Sequence, residues 1–175
     1  MSLRVSIVIV VVLALVMSLP ARAIAQPPQF RLPDDRPELD RAALIAQGFA
    51  IVESEHLLLV TDLPEDDVKS LPSLADALFA ELEAKLGKRA PAEDGREFQV
   101  TGFLIQAAER FEQAGLLPPK EFVLRHGCNV GYRFWLNSQT EDYYRRHLLL
   151  HEFTHCFMTQ DVIAVKAADG PAQGR

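Results

Sequence analysis

Near its C-terminal end the chain runs Arg146-His147-Leu148-Leu149-Leu150-His151-Glu152-Phe153-Thr154-His155. Leu149, Phe153 and Phe157 recur at steps of four, so on a helix they fall on one arc. His151 and His155 are also four apart. At about 100° per residue they differ in direction by about 40°, so both imidazoles leave the helix the same way, away from the apolar arc. Glu141 and Asp142 suit the first turn, where the helix dipole favours negative charge. The helix is predicted to begin near Thr140 and to run to about Thr159 or a few residues beyond. One side of it needs a core to cover it, and the strands that can build that core lie upstream.

Val130 to Leu136 carries Tyr132, Phe134 and Trp135 and is predicted as a strand. Phe122 to Leu124 is a candidate for a brief one. Ala107 to Ala114 reads as a short helix ended by Gly115, with a turn at Pro118-Pro119. Phe98 to Ile105 is mixed on both faces, the pattern of a strand interior to a sheet. Lys88 to Arg96 is a charged loop. Leu71, Leu74, Ala75, Leu78, Phe79, Leu82 and Leu86 mark one face of a helix, with Ser70 as its N-cap, Pro72 in its first turn and Gly87 as its stop. Phe49 to Val52 and Leu57 to Thr61 are β-rich runs joined by Glu53-Ser54-Glu55-His56, a hairpin or bulged pair. Strands and helices alternate irregularly. The fold class predicted is α+β, a small mixed or antiparallel sheet with flanking helices.

The 175 residues allow one domain. Hydrophobic content of 49% and charged content of 24% exclude a chain disordered throughout. Two cysteines exclude a disulfide-dense miniprotein. A net charge of −6 argues against a nucleic-acid partner, which needs a basic stripe to neutralise phosphates. Arg4, the apolar run Val5 to Leu19, Pro20 and then Ala23-Ile24-Ala25 follow the order of a cleavable secretory signal. Residues 1–25 are therefore predicted to be removed after Ala25, leaving a secreted or periplasmic protein. The run is short of the roughly 18 residues of a spanning helix, so no stable membrane span is expected after cleavage; a retained anchor is the alternative. Residues 26–38 are proline-rich and read as a flexible linker, 39–165 as the folded domain and 166–175 as a disordered tail. Cys128 and Cys156 would meet an oxidising compartment, either as a bridge or as buried thiols.

Two imidazoles one helical turn apart can share a tetrahedral Zn²⁺ through ring nitrogens at about 2.0–2.1 Å. Co²⁺ or Mn²⁺ also fits chemically. Glu152, beside the first ligand, can take a proton from water at the metal and later hand it to a leaving amine. At this composition the five-residue pattern arises by chance about 0.01 times per chain, so the match is informative. A catalytic zinc needs a third protein ligand. Asp161 stands six after His155, a spacing that resembles the third-ligand position of one large zincin group, but that group has a Gly three after the second His to turn the chain, and here the residue is Met158. Asp169 is a more distant alternative. His147 precedes His151 by four and would be poorly placed as a third ligand from one straight helix, so it reads as a surface histidine. His56 and His126 read as ordinary turn or strand residues.

The motif His151-Glu152-Phe153-Thr154-His155, the aromatic strand before it and the secretory start resemble the zincin metallopeptidases, most of all the gluzincin-type domains of exported bacterial proteins. The resemblance covers roughly residues 49 to 160, and only the five-residue motif in it is specific. It implies a zincin-like N-terminal subdomain ending in the active-site helix, with His151 and His155 on Zn²⁺ and Glu152 activating water. It implies a downstream helix that supplies a Glu as third ligand after a Gly-Pro-rich turn. Here Asp169-Gly170-Pro171 is followed by Ala172-Gln173-Gly174-Arg175, and no Glu occurs after Glu152, so the chain reads as a C-terminally truncated zincin with an incomplete domain. The resemblance also implies that Val130 to Leu136 is the sheet edge along which an extended peptide lies. By residue type alone, Tyr132, Phe134 and Trp135 fill core. The expectation is a secreted zinc-dependent metallopeptidase acting on a peptide or protein substrate, inactive if the third ligand is missing. The alternatives are a non-catalytic exported binding or scaffold module that kept a degenerate zincin helix, and a metal-binding protein without hydrolysis.

Overall fold

The computed structural model describes residues 33–89 and 95–168, and side chains in the last helix as far as Met158. The expected signal peptide, residues 26–32 of the expected linker, Asp169 and the end of the tail lie outside the described residues.

Alternating apolar strands and amphipathic helices fold into an α+β structure around one mixed sheet. In chain order it has α1 (Arg41–Ala46), β1 (Ala50–Glu53), β2 (Leu57–Thr61), a 3-10 turn (Glu65–Asp67), α2 (Leu71–Leu86), β3 (Val100–Ile105), α3 (Ala108–Gln113), β4 (Gly127–Val130), β5 (Arg133–Asn137) and α4 (Asp142–Ala168). The sheet order is β1-β2-β3-β5-β4. β2, β3 and β5 are mutually parallel, while β1 and β4 close the two sides antiparallel. No helix among the described residues is long and apolar enough to cross a membrane.

The interior strands are buried on both faces, every residue of β2 and β3 included. On one face Leu57, Leu59, Leu104, Phe134 and Leu136 meet α2 and α4, where Phe79, Phe98, Phe153 and Phe157 form an aromatic cluster. On the other, Leu58, Val60, Phe103, Ile105 and Trp135 meet Leu44 and Phe111 of α1 and α3. Gly102 is needed at the sheet centre, because a Cβ there would run into the Phe134 ring and Leu59.

The predicted strand Val130 to Leu136 is not one strand. Gly131 takes a left-handed φ of 58°, and the chain turns there into the β4–β5 hairpin. This corrects the expectation that Val130 to Leu136 is the sheet edge: β5 is interior, between β3 and β4, and the edge is β4. Tyr132, Phe134 and Trp135 are buried. Phe122 to Leu124 forms no strand. Ser70 lies at the start of α2, but its backbone is already helical and its side chain makes no capping bond. α4 starts at Asp142 and continues to Ala168, so residues 166–168, expected in the tail, are helical.

Within the expected linker, residues 33–38 have no helix or strand, yet they pack. Asp35 accepts hydrogen bonds from the Tyr132 backbone N–H at 2.8 Å and from Arg133 at 3.1 Å, which ties this segment to the β4–β5 turn. Asp34 takes a bidentate bond from Arg36, whose other nitrogen donates to Gln99.

Candidate metal centre

α4 lies over β5 and β4 with Leu149, Phe153, Cys156 and Phe157 fully buried against the sheet. This fixes the rotation of the helix. His151 and His155, four apart, are therefore exposed on its outer side. Their Nε2 atoms are 3.0 Å apart, with the rings edge-to-face at 84°. Two nitrogens bound to one tetrahedral ion would sit about 3.3 Å apart, so both rings already converge on a common point. The donor set therefore fits two corners of a zinc site.

Glu152 has turned the other way from its two neighbouring histidines' solvent side. It is 6% exposed, and its side chain lies against the backbone of Gly127 in β4. Among the described residues its carboxylate accepts no hydrogen bond. Burial pushes its pKa up from the usual carboxylate value, and the His151 and His155 charges pull it part of the way back.

The structure brings no third His, Cys, Asp or Glu to the two histidines among the described residues. His147 is exposed, and its ring stacks with Tyr143 at 6.5 Å. At Asp161 the backbone continues the helix, which at 3.6 residues per turn carries the position about 240° round from His155. His126 is exposed just before β4, and its carbonyl accepts from the Asn137 N–H. His56 belongs to the β1–β2 turn, where its ring stacks on Phe79 at 3.7 Å and its Nδ1 lies 3.1 Å from Asp76.

Both cysteines are free. The sheet separates them: Cys128 packs with the α1–α3 side and Cys156 with the α2–α4 side. Burial and the Glu152 charge raise Cys128 to about 11. Burial, then Glu152 and Asp35, raise Cys156 well above the ordinary thiol range. At neutral pH both are protonated, whereas a metal takes the thiolate.

The residue that the sequence reading missed is Gly127. Its one signal was a glycine at the start of a short β-prone run, which marks a bulge or a close approach of another group.

No protein-family model, curated protein or solved structure matches the chain.

Proposed function

We propose that this chain is an exported zinc-dependent metallopeptidase of the zincin type, with His151 and His155 as metal ligands and Glu152 as the proton-transfer group. The observation that carries this reading is the convergence of the His151 and His155 Nε2 atoms to 3.0 Å on the exposed side of a helix whose other side is core. Zinc, when bound, supplies Lewis acidity toward a peptide carbonyl and water. The Glu152 carboxylate, desolvated beside the pair, has the raised basicity that lets it accept a proton from water and return it to the departing amine. β4 is the sheet edge next to Glu152, and its outer backbone can add an extended peptide as a further strand. A third ligand must come from outside the described residues.

The test is metal content of the chain purified without added metal, followed by hydrolysis of denatured casein. One zinc per chain is expected. His151→Ala and His155→Ala should each lose it, and Glu152→Gln should keep it while hydrolysis falls by on the order of 10²-fold or more. A second reading, the non-catalytic exported binding or scaffold module, draws on the two-ligand set. It calls for zinc far below one per chain in the parent protein, and that result would remove the peptidase reading.

A further inference from the structure

We propose that Gly127 is a positioning residue: the side chain it lacks leaves the space into which the Glu152 carboxylate lies, and so it sets the carboxylate's height above the sheet edge. The proposal rests on the reading of Glu152 as the proton-transfer group.

The geometry is close. A Cβ at position 127 would stand 2.5 Å from Glu152 Oε1 and 2.9 Å from both Cδ and Cγ. Real Cβ atoms do not approach other heavy atoms so closely, so something must move. Gly127 cannot, because its strand is paired with β5 in register, Gly127 opposite Leu136. The helix cannot turn, because Phe153, Cys156 and Phe157 lock it into the aromatic core. The Glu152 side chain is the one flexible partner, with three rotatable bonds and no hydrogen bond holding it among the described residues. A methyl group at 127 would therefore displace the carboxylate and leave the fold in place. Gly127 does not have a left-handed backbone, which means that a substitution there acts through this contact and not through conformational strain. His151 and His155 leave the helix about 100° and 60° round from Glu152, on its exposed side, and would stay where they are. A misplacement of about 1 Å in a reacting group costs on the order of 10²-fold in rate.

The experiment is a cycle of Gly127→Ala, Glu152→Ala and the double variant, on the full chain. Thermal unfolding of the metal-free proteins reads the contact itself. Gly127→Ala should lower Tm in the parent and leave it unchanged or raised in the Glu152→Ala background, where the space is open. Zinc per chain should be the same in Gly127→Ala and the parent. With denatured casein as probe, kcat of the zinc-loaded Gly127→Ala protein should fall on the order of 10²-fold with little change in KM. Equal Tm changes in the two backgrounds would overturn the contact, and an unchanged kcat would overturn the positioning role. If the parent protein hydrolyses nothing, the peptidase reading fails and the positioning role with it, while the unfolding cycle still decides whether Gly127 holds the carboxylate.

Discussion

At the scale of single residues, the candidate centre sets two neighbours in sequence to opposite uses. His151 is exposed and Glu152 is buried, though they are adjacent. A buried carboxylate without a hydrogen bond costs stability, because the fold removes water and gives little back. In the metal-free protein at neutral pH, Glu152→Gln is therefore expected to raise stability by about 1 kcal/mol, or roughly 2–4 °C in Tm. Calorimetry on the parent and the variant checks this, and a lower Tm for the variant would show that the carboxylate is held by favourable contacts instead. The histidine pair was legible in the sequence because helical periodicity fixes its direction whatever surrounds it. Gly127 was not, because its partner lies 25 residues further along the chain and on another element.

At the scale of elements, the β4–β5 hairpin is what brings a strand beside Glu152. The turn at Gly131 makes it possible, since a φ of 58° suits glycine. Asp35 then seals the turn through the Tyr132 N–H and Arg133. Its side chain is part-exposed, so the bonds are worth about 1 kcal/mol together and not the full value of buried charged bonds. Asp35→Ala is expected to lower Tm by roughly 2–4 °C. Hydrogen exchange should at the same time speed up at the Tyr132 amide and leave the β2 and β3 amides protected. An unaltered rate at Tyr132 would mean that Asp35 does not hold the turn. The run Val130 to Leu136 read as a single strand because propensity sees aromatics and β-branched residues, while the hairpin is decided by one backbone angle inside it.

At the scale of the whole molecule, the chain's 24 acids outnumber its 18 bases, and several of the acids are tied down. Burial pushes the Asp34 carboxyl up, but the Arg36 hydrogen bonds and the Arg36 and Arg96 charges outweigh it, holding the group below its ordinary value. Arg41 does the same for Glu53, bonded at 2.6 Å. A carboxyl whose folded pKa is depressed stabilises the fold above its unfolded pKa and loses that contribution as pH falls through the folded one. Stability is therefore expected to drop below about pH 4. Urea midpoints measured from pH 6 down to pH 2 should fall on that acid limb, and less steeply for Asp34→Asn. Equal slopes for the parent and the variant would mean that Asp34 is not a source of the acid sensitivity.

The α+β class, the apolar side of α4, the β1–β2 pair, the interior character of β3 and the direction of His151 and His155 follow from local periodicity, which a chain carries with it before it folds. Strand order, the edge position of β4, the separation of Cys128 from Cys156 by the sheet, and the seat of Glu152 on Gly127 are pairings between segments far apart in sequence. No local pattern encodes those, because each depends on which faces the packed core leaves for one another.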